Sequence, residues 1–311
     1  MSLEKVADFL TQHDNYDILT HAYPDGDTLG SGYALCLALQ QIGKNARVIT
    51  TNLPGDFEFL LDGVKKQSFD AQTVVSVDIA SEQLLGCNKE RYTGRIDLCV
   101  DHHEINRVEA AVKHVESDAA ANCEILYRLF RLMKLDITKQ IANCLYTGIS
   151  TDTGCFRYTN TTAETLRIAA DLLELGADTE YINKVMFETK TKKKIALERE
   201  IYDTIEYCCG DKCAIIFVTR EMKKKLNVSD DELEGLASIP RQIEGVLVGI
   251  TMRERDEGGF KVSVRSDSHV NAAEFCARFG GGGHAAAAGC TVKGSLDEAK
   301  AKLISEIEDF I

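Results

Sequence analysis

Short apolar runs alternate with longer amphipathic segments through the first half of the chain. The runs YDILT, ARVIT, TVVSVDIA and RIDLCV are rich in β-branched residues and predict strands. The segment LGSGYALCLALQQIG and the stretches at about 121–134 and 138–149 have helical spacing of apolar residues. Strands that alternate with helices predict an α/β domain built on a parallel sheet with helices on both faces.

The pattern changes in the second half. Residues from about 160 to 207 are helical in pattern and increasingly charged, which indicates the end of the first domain and a connecting helix. The runs AIIFVTR, EGVLVGITMRE and FKVSVRS then predict strands of a smaller mixed α/β domain, followed by a glycine-rich loop, FGGGGHAAAAG, and a final helix. A chain of 311 residues exceeds the usual size of one core. We therefore predict a first domain over residues 1–187, a helical linker over 188–210 and a second domain over 211–311.

Acidic and histidine residues cluster where the predicted strands of the first domain end. HAYPDGDTLGS holds one histidine and two aspartates, VDIA one aspartate, VDHH an aspartate and two histidines, and GISTDTGCF one aspartate at a helix–loop junction. Because the carboxyl ends of parallel strands meet at one edge of a sheet, these segments should converge. The candidate residues are His21, Asp25, Asp27, Asp78, Asp101, His102, His103 and Asp152.

Each segment alone has an ordinary structural explanation. Pro-Asp-Gly-Asp is a plausible surface turn, and an aspartate after a strand is commonly a helix cap. Four such segments at one edge are harder to explain separately. Carboxylates with a few imidazoles and no thiolate suit Mn²⁺, with Mg²⁺, Co²⁺ and Fe²⁺ as competitors. Crowded aspartates repel one another, and a pair of divalent cations would offset that repulsion.

These four segments, in this order, resemble the four motifs of the DHH phosphoesterase family. FGGGGHAAAAG resembles the glycine-rich motif of the DHH-associated C-terminal domain, so the resemblance covers essentially the whole chain. No motif position departs from the family pattern, which implies an intact two-metal enzyme. The implied metal ligands are His21 and Asp25 for one ion, Asp27, His102 and Asp152 for the other, and Asp78 as the bridge.

The resemblance implies further roles in both domains. Asp101 would orient an imidazole, and His103 would face the substrate phosphate. Consecutive glycines allow close approach of the backbone to an anion, although they could also form only a flexible loop. An arginine at a strand end suits a terminal phosphate, although it could also be a plain exposed strand residue. The candidate substrate contacts in the second domain are Arg265, Ser266, Gly281, Gly282, Gly283 and His284.

Composition narrows the choice of substrate and location. The net charge is −13, whereas a protein that tracks long nucleic acid normally carries a basic face. No apolar run is long enough for a membrane helix, and the N-terminus predicts an amphipathic helix and not a signal peptide. The eleven cysteines stand mostly singly in apolar runs, which indicates reduced thiols and a cytoplasmic protein. The cluster Cys208, Cys209 and Cys213 lacks a second pair at zinc-ligand spacing.

The short two-domain architecture resembles family members that degrade RNA of a few residues and remove the 3′-phosphate of 3′-phosphoadenosine 5′-phosphate (pAp). We therefore expect a manganese-dependent phosphoesterase with two metal ions that holds short oligoribonucleotides or nucleotide bisphosphates in a cleft between its domains. A phosphodiesterase for cyclic di-AMP or its linear product pApA has the same motifs and is the main alternative. A non-catalytic nucleotide sensor is the alternative outside enzymes, and the complete ligand set argues against it. The oligomeric state, a homodimer included, stays open.

Overall fold

A computed structural model describes residues 1–229, 231–233, 235–267 and 269–311. The side chains of residues 231 and 284 also lie outside the described part. The chain divides into two compact units, Met1–Thr189 and Lys190–Ile311. The predicted domain boundaries stay a prediction.

The first unit contains a five-stranded sheet in the order β2-β1-β3-β4-β5, and all of its described strand pairs are parallel. Its strands are β1 Tyr16–Leu19, β2 Ala46–Ile49, β3 Thr73–Val77, β4 Leu98–Asp101 and β5 Val112–Val115. Its helices are α1 Leu3–Gln12, α2 Gly26–Gln41, α3 Lys89–Tyr92, α4 Asn122–Leu132, α5 Lys139–Asp152, α6 Ala163–Glu174 and α7 Thr179–Asn183.

The two faces of this sheet are covered unequally. The main core packs alternate strand residues such as Ile18, Val75 and Val100 against α1, α2, α4 and α5. The opposite face carries a smaller cluster that includes Leu19 and Tyr92, the last residue of α3. Burial on both faces explains why the central strands are continuous apolar runs and not alternating ones.

Helices α2 and α5 pack unusually closely because glycines line their contact. A methyl group on Gly30 would overlap the carbonyl oxygen of Cys144, and one on Gly148 would lie 2.5 Å from Oδ1 of Asp27. Real side-chain carbons do not approach other atoms so closely. The glycines therefore let the two helices bring residues about 120 positions apart in sequence into contact.

The second unit is a six-stranded mixed sheet in the order β10-β11-β9-β8-β7-β6. The β7–β8 pair is parallel, and the other described pairs are antiparallel. One face of this sheet packs on the two C-terminal helices of the unit. The part of the sheet around β7 packs on the N-terminal helix of the unit. The elements are α8 Lys192–Tyr202, β6 Glu206–Cys208, β7 Cys213–Val218, α9 Arg220–Leu226, β8 Val248–Glu254, β9 Phe260–Ser266, α10 Ala272–Ala277, β10 Gly282–His284, β11 Ala287–Val292 and α11 Leu296–Ile307.

The predicted fold class is confirmed, with a parallel-sheet α/β unit and a smaller mixed α/β unit. One local prediction was wrong: the glycine-rich segment is not a loop but contributes the paired strands β10 and β11. Gly281 and Gly283 lie so close to β11 that a methyl group on either would collide with its backbone. Strands β5 and β6 are short and were not predicted. Within the described residues, every helix is too short or too polar to cross a membrane.

The packing of α2 against α5 yields a stability prediction. Gly30→Ala should destabilise the first unit by about 1–3 kcal/mol, the usual cost of overpacking a core, despite the better helix propensity of alanine. Denaturant unfolding followed by circular dichroism measures the change. Gly55→Ala is the control, because a methyl group there meets open space. Equal unfolding midpoints for the two variants would show that the α2–α5 contact tolerates a larger residue.

Candidate active site

Three neighbouring strands of the first sheet end beside one another and present the candidate residues. His21 follows β1 by two positions, Asp78 directly follows β3, and Asp101 ends β4 immediately before His102. Strands β1, β3 and β4 are adjacent and parallel, so their carboxyl ends share one edge. The expected convergence of distant segments is therefore observed.

The N-terminus of α2 supplies two further aspartates. Asp25 is the N-cap residue, and its Oδ1 accepts hydrogen bonds from the backbone N–H groups of Asp27 and Thr28, both at 3.1 Å. Its Oδ2 lies 3.5 Å from Nε2 of His21. Asp25 thus caps the helix through Oδ1 and belongs to the site through Oδ2.

The side chains form two groups that meet at Asp78. His21, Asp25 and Asp78 place one ligand atom each within 4.8 Å of one another, and Asp27, His102 and Asp152 do the same. Asp78 Oδ2 lies 3.9 Å from Nε2 of His21, and its Oδ1 lies 3.4 Å from Nε2 of His102. One carboxylate therefore faces both groups, which is the arrangement a bridging ligand requires. The assignment of these residues to two metal ions stays a prediction.

The chemistry of this site fits cations. Oδ1 of Asp78 is buried and has no hydrogen-bond partner among the described residues. A buried carboxylate oxygen without a partner is costly unless a cation neutralises it. The described site residues offer carboxylate oxygens and imidazole nitrogens, which are ligand atoms that divalent first-row metals accept.

The pKa values of the site residues also indicate a site that suits cations. Burial and the neighbouring carboxylates raise the pKa of Asp27 and Asp78 above its ordinary value, and they raise the pKa of Asp152 to about 7. Although burial opposes its protonation, the nearby carboxylates of Asp152 and Asp78 raise the pKa of His102 to about 12. The crowded negative charge thus favours bound protons where no cation is present. Divalent cations would displace them on binding, because metal ligands must be deprotonated.

Backbone strain accompanies Asp78. Its φ is +56°, a left-handed value that is unfavourable for a residue with a Cβ atom. Its N–H donates to the carbonyl oxygen of Val100 at 3.0 Å, so the neighbouring strand holds the strained conformation. Strain of this kind is typical of functional sites and agrees with a central role for Asp78.

The orientation of Asp27 depends on residues that the sequence did not reveal. Its two carboxylate oxygens accept hydrogen bonds from the backbone N–H groups of Asn122, at 2.6 Å, and Cys123, at 2.9 Å. These amides begin α4, whose N-cap residue, Ala121, has no side chain able to cap. Asp27 therefore caps α4 from another helix, and the positive end of the helix dipole favours its charge. The start of α4 lacks a capping side chain, and this feature of the sequence could have indicated that a distant residue caps the helix.

Asp101 and the two histidines are held by separate partners. Asp101 Oδ1 contacts Nδ1 of His103 at 2.8 Å, and its Oδ2 accepts from the side-chain amide of Asn106 at 2.5 Å. The hydrogen bond from Asp101 raises the pKa of His103. Nδ1 of His102 instead lies 3.2 Å from the carbonyl oxygen of Ala119, so as a donor there it leaves Nε2 facing the carboxylates. Asp101 thus orients His103, and Asn106 is a supporting residue that the sequence did not indicate.

The candidate contacts of the second unit lie around β11. The backbone register places Arg265 of β9 and His284 of β10 on either side of Ala287. The side chain of His284 lies outside the described residues. Ser266 is fully buried, and its hydroxyl donates to the carbonyl oxygen of Ala285 at 3.0 Å, so its observed contact supports the β10–β11 turn. The predicted phosphate contacts of these residues stay predictions.

Comparisons with known proteins identify the family. Residues 17–149 match the model of the DHH family, N-terminal domain, and residues 210–311 match the DHHA1 domain. A bifunctional oligoribonuclease and PAP phosphatase NrnA of Thermus thermophilus is 32% identical over 301 residues, covering 94% of this chain and 89% of that protein. The chain belongs to the DHH family.

Two further comparisons are informative. The cyclic-di-AMP phosphodiesterase PdeA of Listeria monocytogenes is 23% identical over 99% of this chain, which spans only 49% of that protein. The crystal structure of an exopolyphosphatase-related protein from Bacteroides fragilis superposes with a TM-score of 0.90 at 23% identity, covering 99% of this chain and 96% of that one. The second likeness covers both units and shows a shared fold.

The shared position of Asp78 yields a prediction for the DHH-family site. Asp78→Asn keeps the size of the side chain but removes charge that faces both groups. We expect weaker binding of Mn²⁺ by isothermal titration calorimetry and a loss of phosphoesterase activity of at least about a hundredfold. Asp70→Asn, at an exposed aspartate, is the control and should behave as wild type. Wild-type turnover and metal content in Asp78→Asn would refute a bridging role.

Proposed function

We propose that this DHH-family chain is a manganese-dependent phosphoesterase that hydrolyses very short oligoribonucleotides and the 3′-phosphate of pAp. The observation that carries the proposal is the pair of ligand groups joined by the two oxygens of Asp78. The Thermus relative, named an oligoribonuclease and PAP phosphatase, supports the choice of substrates.

The proposed metal ligands are the six residues of the two groups. His21 and Asp25 would hold one ion, Asp27, His102 and Asp152 the other, and Asp78 both. Two bound divalent cations would polarise the phosphate and supply a nucleophilic water near neutral pH. Mn²⁺ suits mixed carboxylate and imidazole ligands, whereas Mg²⁺ prefers oxygen ligands alone.

Two residues outside the ligand set have proposed roles at the phosphate. The hydrogen bond between Asp101 and Nδ1 of His103 fixes the ring and raises its pKa, which favours an imidazolium that donates from Nε2. A charged imidazole donor is well suited to a phosphate oxygen, because charge-assisted hydrogen bonds are the stronger ones. His103 is partly exposed, as a substrate contact must be.

The second unit has a proposed role in binding. Arg265 and His284 flank Ala287 in adjacent strands, and we assign them to a substrate phosphate that is not cleaved. Gly281, Gly282 and Gly283 would present backbone N–H groups to the same phosphate. Ser266 would act through the β10–β11 turn that its hydroxyl supports.

A cyclic di-AMP or pApA phosphodiesterase is the second candidate. The Listeria relative carries that name, but this chain spans only about half of it and is less similar to it than to the Thermus relative. A nucleotide sensor with structural metals is the candidate without catalysis. Hydrolysis of bis-p-nitrophenyl phosphate with Mn²⁺ that stops when a chelator is added would exclude the sensor.

Substrate length tests the proposed function directly. With Mn²⁺ under one set of conditions, we expect hydrolysis of pAp, pApA and a five-residue RNA, with initial rates that fall as RNA lengthens beyond roughly five residues, because a strongly acidic protein repels a long polyanion. Ion-exchange chromatography of the products measures the rates. Equal rates on RNA of two and thirty residues would contradict the proposal, and a strong preference for cyclic di-AMP over all linear substrates would favour the second candidate.

The proposed division of roles predicts different behaviour on two substrates. Arg265→Ala should lower kcat/KM on pApA by roughly ten- to a hundredfold, the usual effect of losing a charge-assisted hydrogen bond. It should change hydrolysis of bis-p-nitrophenyl phosphate much less, because that ester has no second phosphate.

Two comparison variants sharpen this test. His284→Ala should behave like Arg265→Ala, whereas Asp27→Asn should reduce activity on both substrates equally, because it removes a proposed metal ligand. Equal losses on the two substrates for Arg265→Ala and His284→Ala would assign these residues to catalysis or folding. Full activity of both variants on both substrates would show that neither residue contacts substrate.

A further inference from the structure

The chain after α5 forms a strained turn next to the site. Gly154, Cys155 and Phe156 have successive φ values of +55°, +58° and +61°, and two of these residues carry a Cβ atom. A left-handed conformation is unfavourable for a residue with a Cβ atom. Thr153 stabilises the turn: its carbonyl oxygen accepts from the N–H of Arg157 at 2.9 Å, and its hydroxyl accepts from the N–H of Phe156 at 3.0 Å.

This turn places the ring of Tyr158 over Gly154. The N–H of Tyr158 donates to the carbonyl oxygen of Thr153 at 3.0 Å, which folds the chain back on itself. A methyl group on Gly154 would lie 2.5 Å from a ring carbon of Tyr158, so the ring rests directly on the glycine backbone. The turn therefore places the ring against the backbone of Gly154.

The same turn is tied to a proposed metal ligand. The side-chain amide of Asn160 donates to the carbonyl oxygens of Asp152, at 3.1 Å, and Ala120, at 3.0 Å. These bonds connect the segment after Tyr158 to the C-terminus of α5 and to the residues that precede α4. Asn160 thus ties the turn that carries Tyr158 to Asp152, while 51% of Tyr158 stays exposed.

Core packing accounts for Phe156 but not for the ring of Tyr158. Phe156 packs against the main core with its ring 5.9 Å from that of Tyr146, whereas Tyr158 stays half exposed. An exposed aromatic ring on a turn that is tied to a proposed metal ligand offers a surface for a ligand. The proposed function puts a phosphate at the metal ions that the carboxylates would hold, and the flat apolar ring suits a flat aromatic group.

We propose that the ring of Tyr158 is the stacking surface for a nucleobase of the substrate whose phosphate binds at the proposed metal site. This inference rests on the proposed function and deepens it, because metals and phosphate contacts alone do not distinguish a nucleotide from other phosphate esters. Stacking on an aromatic ring accepts every base and requires an unpaired one. Tyr158 thereby selects single-stranded nucleotides of any sequence.

The test compares pApA with an analogue in which abasic ribose replaces each adenosine. Tyr158→Leu should raise KM for pApA by about five- to a hundredfold, the range for loss of one base–aromatic stack, and leave kcat unchanged. It should leave both constants for the abasic analogue unchanged, and Tyr158→Phe should retain wild-type values on both substrates. Tyr202→Leu is the matched control, since Tyr202 is also 51% exposed and lies in α8.

Each other outcome overturns the inference. Equal loss of kcat on both substrates in Tyr158→Leu would make the ring a structural support for Asp152, and unchanged constants would show that no base contacts it. Tyr23 is 85% exposed between His21 and Asp25. If Tyr23→Leu and not Tyr158→Leu raises KM for pApA, the stacking surface is Tyr23.

A binding measurement separates this inference from the proposed function. Wild-type protein that cleaves bis-p-nitrophenyl phosphate but none of pAp, pApA and short RNA would refute the proposed function. The stacking inference is then decided by fluorescence of 2-aminopurine riboside 5′-phosphate, which stacking quenches. Quenching by wild type but not by Tyr158→Leu supports the inference, and equal quenching by both contradicts it.

Discussion

The close packing of α2 against α5 is the contact on which the site depends. Gly30 and Gly148 leave no room for a side chain between the helices, and a methyl group on Gly148 would collide with the carboxylate of Asp27. One helix begins with Asp25 at its N-cap and the other ends at Asp152, so their contact joins two acidic segments far apart in sequence. A wider spacing would separate Asp152 from the carboxylates that follow the strands.

That packing brings together charges that repel one another, and the surrounding structure compensates for them. The N-terminus of α4 receives the carboxylate of Asp27, and the first turn of α2 receives one oxygen of Asp25. A strained backbone at Asp78 directs its two oxygens to two groups. Helix termini and strand ends thus supply the fixed dipoles that crowded carboxylates need when no proton or cation neutralises them. Crowded buried carboxylates of this kind lower the stability of the fold unless a proton or a cation neutralises them.

The two proposed kinds of recognition differ in their physics. Cations and charged side chains attract phosphate strongly and with little regard for what the phosphate is attached to. An aromatic ring held on a glycine backbone adds a weaker but chemically selective contact, because stacking favours flat bases. The turn that holds Tyr158 also donates a hydrogen bond to the carbonyl oxygen of Asp152 through Asn160, so both kinds of recognition share one segment of chain.

The sequence by itself determined the α/β fold class, most of the strands and helices, and which residues gather at one edge of the first sheet. These features follow from local periodicity and from motifs, and a parallel sheet necessarily aligns the ends of its strands. Only the tertiary structure decided which hydrogen-bond partners the site residues have. Asp27 caps α4, and Asp101 pairs with His103 and Asn106. In the second unit, the buried hydroxyl of Ser266 donates to the carbonyl oxygen of Ala285. The glycines of FGGGGHAAAAG became a paired strand, because their fit against β11 depends on a neighbour and not on their own conformational preference. Local patterns record what each segment prefers, whereas hydrogen-bond partners are set by which segments meet.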